Sequence, residues 1–319
     1  MITTEIKTDG EVDVTFAVAC YNAMPYLDAA VRSALDQRDA TCEVILVDDG
    51  SSDGTLACAE EWARRDARVR VLRTPQNAGP GGARNMALSA MRGRWFAVLD
   101  SDDFIEPDRS RRLLDKAEQH QADIVADDLR IFGEGIADAT FLAAHWPNDG
   151  GWMTRDRYVG DSVLFGNRPN PGFLKPMFRH DFLARHELTY NPKLRIAEDD
   201  ELALRCLLAN ARYLVVPRPM YHYRKHASSI SHRLSLVDIE RMIASEAVLR
   251  RRLEDQGAIG PAYRRRWRKL ADARAFTLAI DRLKQRRFLA AALAIVRRPQ
   301  ALSLFAMPIA ARINRRRGT

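Results

Sequence analysis

Over the first 130 residues, short apolar runs alternate with segments of helical spacing. Residues 14–20 are apolar and β-branched and are closed by Tyr21-Asn22, which predicts a first strand with a ligand-facing loop at Tyr21. Leu27, Val31, Ala34 and Leu35 lie at helical spacing within residues 25–35. Residues 43–47 predict a second strand. The Asp-, Ser- and Gly-rich turn at 48–55 supplies the N-cap of a helix over 56–67. A third, short strand is expected at 69–72, a glycine-rich loop at 77–85 and a helix at 86–91. Residues 95–99 give the fourth strand, followed by a helix through 109–119 and a strand at 123–126. This alternation predicts a doubly wound α/β domain with a mostly parallel sheet.

Between 132 and 194 the periodicity weakens and Gly, Pro, Asn and Trp become frequent, so a loop-rich region over the sheet edge is expected. Ile196-Ala197-Glu198-Asp199-Asp200-Glu201 opens a helix carrying Leu202, Leu204, Leu207 and Leu208, and residues 213–216 predict a further strand. A segment mixing aromatic and cationic side chains follows at 221–231. From Leu236 onward the chain reads as helical. Its apolar patches at 288–296 and 301–311 are separated by Arg297-Arg298-Pro299-Gln300 and closed by Arg315-Arg316-Arg317.

Charge divides the chain where the periodicity changes. Residues 241–319 hold 20 Lys+Arg against 5 Asp+Glu, a balance of +15, and the remaining 30 against 37 leave −7 for residues 1–240. Neither apolar patch reaches the roughly 20 residues that span a bilayer. Short apolar faces between arginine clusters fit a helix lying in an anionic membrane surface, and they also fit a bundle packed on the first domain with a solvated basic face. Cys20, Cys42, Cys58 and Cys206 lack CxxC spacing and read as reduced thiols. The polar start, 1–14, has no apolar core of a secretory signal.

The candidate chemistry collects at the end of the fourth strand, where Asp100, Asp102 and Asp103 follow the apolar run. Carboxylates there emerge at the C-terminal edge of the sheet, where open α/β sheets bind ligands, and hard cations such as Mg²⁺ or Mn²⁺ suit them. A solvated acidic turn ahead of a helix fits the same residues, as Glu198 and Asp199 fit simple dipole partners in a first turn.

Taken in order, the Tyr21-Asn22 strand end, Val47-Asp48-Asp49-Gly50-Ser51, Asn77…Gly79…Arg84-Asn85, Asp100-Ser101-Asp102-Asp103 and Glu198-Asp199 resemble the family 2 glycosyltransferases. The resemblance covers about residues 12–232, and the 79–85 version with its basic C-terminus is most similar to bacterial exopolysaccharide enzymes of succinoglycan-type assembly. It implies a GT-A fold, a Rossmann-like, mostly parallel sheet with helices on both faces, over residues 1–234. A helical extension would occupy 235–319. It implies a UDP-sugar donor, with glucose the preferred hexose, and a saccharide or lipid-linked saccharide acceptor. Ala19, Tyr21, Asn22 and Asp49 would lie at the nucleotide base with Arg84 nearby, Asp100 at the ribose and Arg224 at the pyrophosphate. Asp102 and Asp103, with His226, would hold Mn²⁺ or Mg²⁺. Asp199 would act as the base of a single inverting displacement, with Glu198 beside it. The enzyme would work peripherally on the inner face of the cytoplasmic membrane, with no nucleic-acid partner. The family's usual proline two residues before the tyrosine is Ala19 here.

Three other readings compete. A haloacid-dehalogenase-like phosphatase needs Gly-Thr beside its nucleophile, whereas Asp103-Phe104 follows Asp102. A sugar-1-phosphate nucleotidyltransferase needs a glycine- and arginine-rich loop where Tyr21-Asn22-Ala23-Met24 stands. A catalytically silent nucleotide-sugar-binding scaffold has no chemical need for Asp100, Asp102, Asp103 and Asp199 together.

Overall fold

The run VTFAVAC forms β1 (Val14–Cys20), closed to solvent along nearly its whole length, as expected of a strand covered on both faces. The computed structural model describes residues 11–142, 146–147, 150–166, 168–226, 234–255 and 259–305. After β1 come α1 (Leu27–Leu35), β2 (Cys42–Asp48), α2 (Thr55–Arg65), β3 (Val69–Arg73), α3 (Gly79–Ala90), β4 (Trp95–Val98) and β5 (Phe104–Ile105). These are followed by α4 (Arg109–His120), β6 (Ile124–Gly133), β7 (Ile136–Thr140), β8 (Gly151–Trp152), α5 (Arg155–Asp161) and β9 (Met177–Arg179). The chain continues through α6 (His180–Arg185), α7 (Glu198–Leu208), β10 (Tyr213–Arg224), α8 (Leu236–Asp255), α9 (Pro261–Lys284), α10 (Phe288–Val296) and a 3-10 stretch, Pro299–Phe305. It divides into two compact units, Met1–Arg155 with Pro171–Ser229, and Asp156–Asn170 with Ile230–Thr319.

The sheet of the first unit has the order β3-β2-β1-β4-β9-β6-β10-β5, with β7 beside β6 and β8 beside β10. The long pairings β2–β3, β1–β2, β1–β4 and β6–β10 are parallel, so Cys20, Asp48 and Val98 end at one edge. Between β4 and β6 the three-residue β9 runs antiparallel to both. Two reversals restore the direction, so β10 also ends, at Arg224, on that edge. The same reversal makes β9 begin there, which places the residues just before it, Lys175 among them, beside the strand ends.

The glycine run expected as a loop at 77–85 is instead the start of α3, which begins at Gly79 and not at residue 86. Gly79 has φ +74°, which favours a residue without Cβ, and a Cβ at Gly81 would sit 3.2 Å from the Asn191 carbonyl oxygen. Small residues therefore serve close helix packing here. Asn85 fixes that contact: its amide bonds the Tyr190 backbone in both directions, at 2.9 and 2.7 Å. The loop-rich region predicted between 132 and 194 contains β7, β8, α5, β9 and α6. The strands expected at 123–126 and 213–216 extend to Gly133 and Arg224. Residues 1–10, 227–233 and 306–319, which include the start of the chain and the last arginine cluster, lie outside the described residues.

One buried ion pair joins α4 to the sheet. Arg109, fully buried, donates to Asp127 Oδ1 at 3.0 and 2.8 Å and to the Lys175 carbonyl at 2.7 Å, with its guanidinium 5.4 Å from the Tyr221 ring. Asp127 Oδ2 accepts the Met220 amide at 3.2 Å. In the second unit, buried Arg266 on α9 joins Glu246 on α8, at 2.6 Å, to the Ser162 carbonyl, at 2.7 Å. Breaking one side of a buried pair leaves a desolvated charge, so Arg109→Met is expected to lower the unfolding free energy by about 3–5 kcal/mol in urea titration. A loss below about 1 kcal/mol, the scale of a surface pair, would show that Arg109 does not brace this region.

Candidate active site

At the shared edge, the turn after β4 gathers three carboxylates. Asp103 N–H donates to the Asp100 carbonyl at 3.1 Å, which closes the turn, and ligand atoms of Asp100, Asp102 and Asp103 lie within 4.8 Å of one another. β5 then pairs antiparallel with Tyr221-His222 of β10, which carries the turn across to the end of that strand. Arg224 N–H donates to Asp103 Oδ1 at 2.7 Å, and its Nε to the Asp102 carbonyl at 2.8 Å. The Arg224 guanidinium lies between the Tyr26 and Phe132 rings, 4.6 Å from each centroid. His226 Nε2 is 2.8 Å from Asp102 Oδ2. The Asp100 amide donates to the Tyr221 hydroxyl at 3.0 Å.

Facing this turn, Glu198 and Asp199 stand at the start of α7. The residue before them, Ala197, has φ +64°, a left-handed conformation that an alanine adopts at a cost of order 1 kcal/mol. Arg84, buried on α3, reaches three carboxylates: Nη1 donates to Glu198 at 2.5 Å and Asp199 at 3.1 Å, and Nη2 to Asp100 at 2.7 Å. Lys175 Nζ lies 2.8 Å from Asp100 Oδ2 and 3.1 Å from Asp199 Oδ2. The Tyr190 ring sits 5.6 Å from the Arg84 guanidinium.

Of the five clustered carboxylates, Asp100, Glu198 and Asp199 share the two buried cations, while Asp103 meets the Arg224 amide and Asp102 meets His226, and their proton affinities separate accordingly. Burial alone would raise the Asp100 carboxyl, but the Lys175 ammonium and the Arg84 guanidinium hold it at about 2. Burial pushes Asp103 well up, helped by the charges of Asp100 and Asp102. Asp102 is raised by burial and by Asp100, against the pull of His226. Burial also raises Glu198, with the Asp199 charge adding to it. Asp103 Oδ2 is buried without a hydrogen-bond partner. An orphaned oxygen beside two further carboxylates is a donor set that fits a hard divalent cation.

The predicted nucleotide residues form a second group. Asp49 accepts from Thr74 Oγ1 at 2.8 Å and from the Ala78 and Gly79 amides at 2.7 and 2.8 Å, so it caps α3 across the chain. The anion at this helix start is therefore the protein's own carboxylate, with about one of its four acceptor positions left. Beside it, Asp48 is buried, with Oδ2 free of hydrogen bonds and 3.5 Å from Arg73 Nε. Asn22 turns its amide oxygen to Ser52, 2.8 Å from its N–H, and so ties two loops together. Tyr21 is half exposed beside the partly buried Ala19.

The sequence reading missed Lys175, Tyr26 and Tyr190. A lysine inside Leu174-Lys175-Pro176-Met177-Phe178 was a signal, because a cation within an apolar run must find a buried partner. The residues beyond His226 in that aromatic and cationic segment lie outside the described residues.

Comparison with known proteins agrees with this architecture. The glycosyl transferase family 2 model matches residues 15–182. The succinoglycan biosynthesis protein ExoO of Rhizobium meliloti is 38% identical over 307 residues, which cover 95% of this chain and 86% of that protein. Among solved structures, S. aureus TarS 1–349 in complex with UDP-GlcNAc is similar with a TM-score of 0.62 at 17% identity, covering 91% of this chain and 92% of that one. A mannosyltransferase from Pyrobaculum calidifontis in complex with GDP-Man and Mn²⁺ has a TM-score of 0.57 at 16% identity, covering 95% and 81%. The fold is the GT-A architecture that the family resemblance implies, with the mostly parallel sheet expected from the strand and helix pattern.

A carboxyl whose proton affinity is raised by burial costs stability while charged, and the cost fades as pH falls toward the ordinary aspartate value of about 3.9. Asp103→Asn keeps an acceptor for Arg224 N–H and removes that cost. In chelator at neutral pH it should therefore stabilise the fold by about 1–3 kcal/mol. The gain should shrink near pH 4, and saturating Mn²⁺ should favour the wild type instead. Scanning calorimetry checks this, and an unaltered or lower midpoint in chelator at neutral pH would contradict it.

Proposed function

Because the chain belongs to glycosyl transferase family 2, we propose that it moves a hexose, glucose by preference, from a UDP-sugar to a saccharide or lipid-linked saccharide acceptor. The likeness to ExoO supports a place in exopolysaccharide or cell-surface glycan synthesis. The observation that carries the reading is the opposition of two carboxylate groups, Asp100-Asp102-Asp103 and Glu198-Asp199, bridged by Arg84 and Lys175 at the edge where the parallel strands end. Residues 1–234 would carry the chemistry and 235–319 would serve the membrane side, with the enzyme peripheral on the inner face of the cytoplasmic membrane.

In this account Tyr21 offers its exposed ring for stacking on the base, beside Ala19 and Asn22. Asp49 spends its remaining acceptor position on a base N–H. Asp100 accepts from the ribose, and Arg224 turns its terminal nitrogens to the diphosphate. Asp102, Asp103 and His226 would hold Mn²⁺ or Mg²⁺, which when bound neutralises charge on the departing nucleoside diphosphate.

Asp199 removes the proton of the acceptor hydroxyl. Its contacts with Arg84 and Lys175, each 3.1 Å, are longer than the 2.5–2.8 Å bonds these cations make to Glu198 and Asp100, so it gives them up more readily. Glu198, bound to Arg84 at 2.5 Å, fixes the guanidinium and leaves proton transfer to its neighbour. Attack by the deprotonated hydroxyl breaks the bond to the diphosphate in one step, so the anomeric configuration inverts.

Asp199→Asn removes the base and leaves the donor site intact. Transfer should fall by about 10²–10⁴, the range for loss of a positioned base, while calorimetric binding of UDP stays unchanged. Transfer that survives with only a small loss would remove Asp199 from the role.

A further inference from the structure

Helix α10 buries two alanines and exposes most of its large side chains. Ala291 and Ala294 pack with Ala279 of α9, with Leu278, Ile295 and Phe305 at the edge of the cluster. On the opposite face Leu289, Leu293 and Val296, spaced i, i+4, i+7, are 89%, 50% and 74% exposed. Phe288 is 66% exposed, and Leu302 in the following 3-10 stretch 58%. Burying one such side chain is worth about 1.5–3 kcal/mol, so a helix that served only to cover α9 would turn them inward. A contiguous apolar face left outside marks an absent partner.

The rim of this face identifies the partner. Over residues 281–298, Arg282, Lys284, Arg286, Arg287, Arg297 and Arg298 stand against the single acid Asp281. Arg298 approaches Asp272 at 3.9 Å, but Lys284, Arg286, Arg287 and Arg297 make no ion pair among the described residues. A second copy docked on this face would set two cationic rims against each other. An acidic lipid surface satisfies both features, taking the apolar side chains into the acyl boundary and the arginines at the headgroups. Among the described residues no single helix is long and apolar enough to cross a membrane; α10 and the Pro299–Phe305 stretch reach that length and hydropathy only as a pair, and the pair is bent by 116°. The arrangement suits lying in the interface.

We propose that the exposed face of α10 docks the protein on anionic lipid by apolar insertion and arginine attraction together. The inference deepens the membrane-side part of the proposed function and rests on that reading. Neither signal alone anchors a protein firmly, so removing either should be measurable.

The test is co-sedimentation of the full chain with vesicles of phosphatidylcholine containing phosphatidylglycerol, and with phosphatidylcholine alone. Binding is expected only to the anionic vesicles and should weaken at about 0.5 M salt, where surface charges are screened. Leu289→Glu/Val296→Glu, at exposed positions, should weaken it more than about tenfold. Arg286→Gln/Arg287→Gln/Arg297→Gln should lose the salt dependence. No binding by the wild type, equal binding by the glutamate variant, or a wild-type dimer that this variant turns into a monomer in light scattering would overturn the proposal. UDP binding measured on the same samples separates the two readings. Failure on vesicles with UDP binding intact removes only the docking face, whereas vesicle binding without any nucleotide binding removes the transferase reading.

Discussion

The site depends on one constraint: five carboxylates at a buried sheet edge must be held together by fewer cations than they need. Arg84 and Lys175 meet at Asp100, whose carboxyl pKa they lower to about 2 against the effect of burial, and each also reaches Asp199. Burial and the neighbouring carboxylate charges keep the proton affinities of Asp102 and Asp103 raised, and Asp103 Oδ2 goes without a hydrogen-bond partner. An arrangement short of positive charge at one end is costly as it stands and suited to receiving a cation with its diphosphate.

The brace in turn depends on topology. Only because β9 runs against β4 and β6 does Lys175 lie just ahead of a strand that begins where the others end, and only because two reversals cancel does Arg224 arrive at the same edge. Arg109 fixes this crossing from behind through the Lys175 carbonyl and Asp127. The helices contribute the rest: α3 brings Arg84 in its second turn, with its start capped by Asp49, and α7 brings Glu198 and Asp199 in its first turn from a left-handed Ala197.

Much of this was legible in the sequence, for local reasons. Fully buried parallel strands are unbroken apolar runs, so β1, β2 and β4 could be read almost to the residue, and the acids at their ends followed. The glycine run of α3 has the local signature of a loop, because glycine ordinarily signals one; in the fold it lets a helix approach Asn191, a neighbour more than 100 positions away. Three-residue β9 carries no periodicity to detect, and with it Lys175 was lost. Asp49 was read as a ligand residue from its motif, while three bonds from Thr74, Ala78 and Gly79 show it also holding the fold. Such roles depend on distant contacts that no local pattern encodes.

The central claim is that the edge bearing Asp100, Asp102 and Asp103 is a cation-dependent nucleoside diphosphate site. Its most direct test is calorimetric titration of the full chain with UDP, GDP, ADP and CDP, each with and without Mn²⁺ or Mg²⁺, beside an Asp102→Asn variant. Binding of UDP in preference to the others, requiring the divalent ion and lost in the variant, is the predicted result. Failure of every nucleotide to bind under any metal condition would contradict it.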